Sequence, residues 1–288
     1  MQNINNAPVM IPANSIRPFE GHPYKVLDNE EMSTLVNSIN EHGIMSPLIV
    51  RPIEGRLDEY ELISGHRRLH AAQLAGLTEV PAVVETVTRD EAAIMLVDSN
   101  LHREHILPSE KAFAYKLKLE ALSRQGKRTD LTSSQVVTRL RADELVAEGT
   151  GEGRMTVQRY IRLTHLIPAL LDMVDDGRIA FSVGVELSFL DSDLQAALMI
   201  AIDLNDCTPS YAQAVHMHKA VNDGSIDEDK LFDLMAEEKP NQKEKVSVPF
   251  SVLKGKVPDS YTDRQLQEFI IKAVDHYHRY LMHQREVR

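Results

Sequence analysis

The 288-residue chain has one cysteine, Cys207. A lone thiol makes no internal disulfide, so a reducing, cytoplasmic compartment fits. Cys207 lies in NDCTPS without a nearby base, which reads as an idle thiol rather than a nucleophile. No run of about 18 apolar residues occurs, so no membrane-spanning helix is expected. The opening MQNINNAPVMIPANS has no basic stretch followed by an apolar block and does not read as a signal peptide. Internal repeats and low-complexity tracts are also missing. Hydrophobic residues make up 43% of the chain, enough to bury two or three domain cores.

Positive charge is scarce as well. The 32 Lys and Arg are outnumbered by 43 Asp and Glu, for a net charge of -11. Spread evenly, that balance would argue against a nucleic-acid binder. It is not even. Residues 1–111 carry 9 basic against 16 acidic side chains, residues 112–165 carry 10 against 6, and residues 166–288 carry 13 against 21. The one basic block sits in the middle, where a phosphate backbone would be met.

The hydrophobic pattern divides the chain. Asp28 or Asn29 caps a helix with Met32, Leu35, Val36 and Ile39 on one face, closed by Gly43. PLIVRPI (47–53), Tyr60 to Ile63 and VPAVVETV (80–87) read as strands. The segment 66–75 reads as a helix ended by Gly76, followed by helices near 89–101 and 108–124. This order predicts an α+β protein that opens with a small α/β domain over residues 1–107. An all-helical domain over 108–236 follows, then a polar linker over 237–249. A C-terminal segment, 250–288, ends in an amphipathic helix with Leu266, Phe269, Ile270, Val274, Tyr277 and Leu281 on one face.

Two stretches carry chemistry. In ISGHRRLHAAQLAGL (63–77), Gly65 follows a strand and opens a helix. Free backbone N–H groups and the positive end of the helix dipole favour an anion there. Glycine admits a ligand close to the backbone, and Arg67 and Arg68 add bidentate donors suited to phosphate. Taken alone, this stretch fits a polyphosphate site and a surface arginine pair equally well. The second stretch is SSQVVTRLRADELVAEGTGEGRMTVQRYIRLTHL (133–166) in the basic block. It reads as two short helices, a turn at TGEG (150–153), and a helix from Arg154 to Leu166. That last helix presents Arg154, Thr156, Gln158, Arg159 and Arg162 on its polar face. Helix, glycine turn and helix is the layout of a helix-turn-helix DNA reader, and a bundle with a solvated basic face shares it.

A third stretch, VDSNLHREHILPSEKAFAY (97–115), completes a resemblance. Pro47, Val50 and Arg51, then Gly65, Arg67, Arg68 and Ala71, then Asn100 and Arg103, are similar in order and spacing to the three motifs of the ParB family. These are the chromosome and plasmid partition proteins, and the resemblance runs over roughly residues 10–200. It implies a ParB/sulfiredoxin-like N-terminal domain that binds CTP with Mg²⁺, followed by the helix-turn-helix domain. Pro47, Val50 and Arg51 would face cytosine and ribose. Gly65, His66, Arg67 and Arg68 would hold the triphosphate, with Asn100 near the metal and Arg103 near the phosphates. The sequence departs from the family's motifs at His66, His70, Ser99 and His102. Ser99 stands where a glutamate is expected, which removes a Mg²⁺ ligand and leaves Asp98 as a substitute. Binding of CTP is thus better supported than its hydrolysis.

The resemblance further implies a homodimer, a double-stranded DNA site and a Walker-type partition ATPase as partner. An alternative is a helix-turn-helix transcription or copy-control regulator whose N-terminal domain is a scaffold. Sulfiredoxin shares the small α/β fold, but its reactive cysteine is replaced here by His66. A nuclease or kinase would need a carboxylate cluster, and none stands out in residues 40–110. Asp172, Asp175 and Asp176 read as an acidic helix end, and His276, His278 and His283 lack the spacing of a metal site.

Overall fold

The computed structural model describes residues 7–101, 103, 105–129, 135–237 and 263–286. By their contacts, residues 1–237 form one compact unit and residues 238–288 a second.

The first unit begins with strands β1 (Val9–Pro12) and β2 (Ile16–Pro18), which the hydrophobic pattern did not predict. Each is three or four residues long and ends on proline. Proline donates no ladder hydrogen bond, so such strands belong at sheet edges. With β3 (Leu48–Pro52), β4 (Tyr60–Ser64) and β5 (Glu79–Val84) they make one sheet of order β1-β5-β3-β4-β2, with β1 and β2 at its edges. Pairs β1–β5 and β3–β4 are antiparallel, and β2–β4 and β3–β5 are parallel.

Alternation along the central strands sends side chains to two cores. On one face Leu48, Val50 and Leu62 pack with Leu69 and Ala72 of α2 (His66–Leu74). On the other, Ile63 packs with Phe19, Tyr24 and Ala92, Ala93, Leu96 and Val97 of α3 (Arg89–Asn100). Helix α1 (Glu30–His42) lies on α2 through Met32, Ile39 and Ala71. Asn29 caps α1 by accepting from the Met32 N–H, and Thr88 with Glu91 forms a capping box on α3.

The change to helices falls at Pro108, the first residue of α4 (Pro108–Thr129). The two short helices expected near 133–149 are a single helix, α5 (Gln135–Thr150). Nothing in RLRADEL, between the two apolar groups, breaks the helix. After the TGEG turn comes α6 (Arg154–Arg162), shorter than predicted because Leu163–His165 tightens into a 3₁₀ turn ahead of Pro168. Tyr115 and Leu119 of α4, Ala142 and Val146 of α5, and Val157 of α6 form the core of this trio. Helices α7 (Pro168–Asp175), α8 (Phe181–Leu187), α9 (Ser192–Asn205), α10 (Tyr211–Asn222) and α11 (Glu228–Ala236) enclose a larger core around Leu163, Leu170, Leu187, Leu198 and Met217.

The sheet layer is tied to the helices by the segment after β2. Lys25 Nζ reaches Asp172 at 3.2 Å and Asp175 at 3.3 Å on α7. Asp175 also accepts from the Ser109 backbone N–H at 2.9 Å. Two of the three aspartates considered at this helix end are therefore used as fasteners. Glu110 accepts from the backbone N–H groups of Lys25 and Leu107.

The second unit contains α12 (Asp263–Glu286). Ile271, Val274 and Tyr277 are exposed along it, and Leu266 and Ile270 are half-buried. The linker read at 237–249 lies, beyond Glu237, outside the described residues. Among the described residues no helix is long and apolar enough to cross a membrane.

Candidate nucleotide corner and nucleic-acid interface

Gly65 follows β4 and caps α2 with φ at 103°, a conformation that glycine reaches without strain. Packing demands it too. A Cβ at this position would sit 2.5 Å from Leu48 Cδ2 and 3.2 Å from the Arg68 guanidinium. The glycine therefore serves the seam between β3 and α2 as well as any ligand.

The two arginines behind it differ. Arg67 points outward and pairs with Glu31 of α1 at 2.9 Å, both side chains well exposed. Such a pair contributes little and can be exchanged for another anion. Arg68 folds back over Gly65 and donates to the backbone carbonyls of Ser46 and Pro47, the latter at 2.9 Å. Burial lowers its pKa from the usual arginine value. Among the described residues no carboxylate pairs with it, so a half-buried positive charge stands at the helix start.

His66, the first residue of α2, stacks on His22 with ring centroids 3.6 Å apart. His22 meets the Tyr24 ring edge-on at 5.6 Å, and the Arg103 guanidinium lies over that ring at 5.3 Å. The fold thus joins the second motif to the third through two residues that the sequence did not single out. His66 Nε2 and the Tyr24 hydroxyl are buried with no hydrogen-bond partner. Burial drives His66 down to about 3, helped by the charges of His22 and Arg103. His22 is lowered to about 4, again mainly by burial. Burial raises Tyr24 above the ordinary tyrosine value. Both rings are therefore neutral at pH 7 and the phenol keeps its proton.

The other motif residues lie elsewhere. Val50 is fully buried in the sheet core. Arg51 is 6% exposed, and its Nε donates to Glu61 at 2.7 Å directly across the β3–β4 ladder. It is a cross-strand ion pair inside the sheet layer rather than an open guanidinium. Asn100 is buried and donates from Nδ2 to Leu96 O at 2.7 Å. Asp98 is paired with Lys118 Nζ of α4 at 2.5 Å. His70 is paired with Asp28 at 2.6 Å. His102 lies outside the described residues.

In the helical part, the TGEG turn is pinned to α4 by Glu152 and Lys111 at 2.9 Å. This presents the start of α6 to solvent, with Arg154, Met155 and Arg159 exposed and Thr156 partly so. Gln158 donates to Asp143 of α5, which orients its amide on the same side. Arg162 is different. Its Nε and Nη2 donate to Ser188 Oγ and O at 3.1 and 2.7 Å, and it covers the Phe189 ring at 4.0 Å. It braces α6 against α8. Met155, 75% exposed at the second position of α6, was missed because a methionine between polar residues gives no periodic signal.

Comparison with known proteins gives these parts a context. Residues 1–101 match the family model of the ParB N-terminal domain. The chromosome-partitioning protein Spo0J of Thermus thermophilus is 39% identical over 171 residues, 59% of this chain and 56% of that protein. A probable chromosome 1-partitioning protein ParB of Deinococcus radiodurans is 35% identical over 161 residues, covering 56% of this chain and 48% of that one. The chain thus spans about half the length of the curated relatives it matches. Among solved structures, Caulobacter crescentus ParB complexed to the centromeric parS site aligns at 19% identity over 79% of this chain and 98% of that one, with a TM-score of 0.41. By residues 1–101, which contain the glycine corner, the chain is similar to the ParB N-terminal domain.

Proposed function

We propose that this protein is a site-specific, double-stranded DNA-binding protein that acts in chromosome, plasmid or mobile-element partition as a CTP-regulated clamp on the nucleoid. The observation that carries the reading is the 171-residue match to a chromosome-partitioning protein, which is longer than the 101 residues of the N-terminal domain. It favours partition over a transcription or copy-control regulator with an inert scaffold.

Two features of the geometry support it. The Gly65 corner offers two guanidinium groups, Arg68 and Arg103, that no carboxylate among the described residues pairs with, beside the free N–H groups of a helix start. That is an anion site in an otherwise acidic domain. The second feature is α6, whose exposed Arg154, Met155 and Arg159 and oriented Gln158 suit a reader helix. Arg and Gln reach base edges, Thr156 reaches phosphate, and Met155 supplies an apolar contact of the kind a thymine methyl takes. A single reader buries little surface on DNA, so two copies act together, with α12 as a contact between them. DNA held by α6 then favours closure of two N-terminal domains around CTP. A Walker-type ATPase is the partner by family analogy.

Immunoprecipitation of the protein with its bound DNA tests the reading. The expected pattern is a peak at one locus with signal spreading into its flanks. Isolated peaks at promoters without spreading would refute the clamp.

A further inference from the structure

The family resemblance brings Mg²⁺ along with CTP, and the residues present do not suit that ion. Magnesium held by a protein takes oxygen ligands, with carboxylates supplying charge. Asp98 is already in an ion pair with Lys118, itself nearly buried. Ser99 Oγ donates to Leu96 O and receives Asn100 Nδ2. Glu110 commits one oxygen to the Lys25 N–H and the other to the Leu107 N–H. His66 occupies the place of the second motif's glutamate. Among the described residues of the third motif, what remains uncommitted is the neutral amide oxygen of Asn100. Among the described residues no three His, Cys, Asp or Glu side chains converge on a metal position.

The corner is rich in donors instead. His66 Nε2 and the Tyr24 hydroxyl are buried and unpartnered, in one chain of rings with His22 between them and Arg103 over the end. An unmet buried donor is unfavourable, and a ligand oxygen in reach recovers that cost. Arg68 and Arg103 supply the charge.

We propose that this corner holds the triphosphate by direct donation from His66 Nε2–H, Tyr24 O–H, Arg68 and Arg103, with no metal ion bridging phosphate to protein. His22 is the positioning residue, since its ring fixes both the His66 plane and the Tyr24 edge. The depressed His66 and raised Tyr24 pKa values agree with this, because each group keeps one N–H or O–H at neutral pH. The proposal rests on the reading of the corner as a nucleotide pocket.

The test is calorimetric titration of CTP into the full chain, with its immunoprecipitated DNA site present, once in Mg²⁺ and once in EDTA. The expected Kd values agree within about threefold. A loss above about tenfold in EDTA, near 1.4 kcal/mol, overturns the proposal and leaves the pocket standing. No CTP binding in either buffer overturns the pocket reading and this proposal with it. Two variants separate donor chemistry from folding. Tyr24→Phe keeps the ring and removes the O–H, and it should weaken CTP about tenfold equally in both buffers. His66→Glu should make binding dependent on Mg²⁺. Unchanged affinity in Tyr24→Phe, with native melting, would show that the hydroxyl is not a ligand donor.

Discussion

Acidification from pH 7 to pH 5 charges histidine in the unfolded chain but not the stacked pair in the folded one. His66 titrates near 6.5 when unfolded and about 3 when folded. Its folded pKa is depressed, so between these values the unfolded state binds the extra proton and stability falls as pH falls. At pH 5 the unfolded ring is almost fully protonated and the folded ring almost fully neutral. The loss between pH 7 and 5 comes to about 2 kcal/mol for His66 alone. His22, lowered to about 4 but more open to water, adds a smaller amount. Urea unfolding at both pH values, in the parent chain and in His66→Asn, isolates this effect from the carboxylates that titrate in both. The parent should lose about 2 kcal/mol more than the variant over this interval. Parallel pH profiles would refute the buried neutral stack.

Other expectations follow from single contacts. Gly65→Ala should cost about 3 kcal/mol in thermal or urea unfolding, from positive φ plus the 2.5 Å approach of Leu48 Cδ2. Arg51→Ala should destabilise by about 3–5 kcal/mol, because Glu61 is left buried with its cross-strand partner gone. Arg159→Ala, at an exposed side chain, should weaken sequence-specific DNA binding by roughly 1–3 kcal/mol while the chain melts close to normally. Arg162→Ala should do the reverse and lower stability by about 1–3 kcal/mol, since its donors serve Ser188. Fluorescence anisotropy beside a melting curve distinguishes the two variants.

The elements with strong periodicity were legible from the amino acids alone: β3, β4, β5, α1, α2 and α3 all fall within a few residues of their expected bounds. So was the start of α6 at the TGEG turn, because glycine marks it. The proline-ended edge strands were not, since their pairing is decided by the register of β5 and β4. Arg51 carried a motif signal, but its burial follows from Glu61 standing opposite it in the β3–β4 register. His22 and Tyr24 lie more than 40 residues before His66, so no local pattern links them. The link exists only after the segment following β2 folds across the start of α2. Arg162 shared the polar stripe of α6, and only the packing of α8 assigns it to the fold rather than to DNA.

The claim that everything else depends on is where the nucleotide sits. Hydrogen-exchange mass spectrometry of the full chain, with and without CTP, reads this directly. Protection should concentrate in three segments: the start of α2 from His66 to Leu69, the segment with His22 and Tyr24, and the backbone around Arg103. CTP bound with those amides unchanged, and protection elsewhere, would contradict the account.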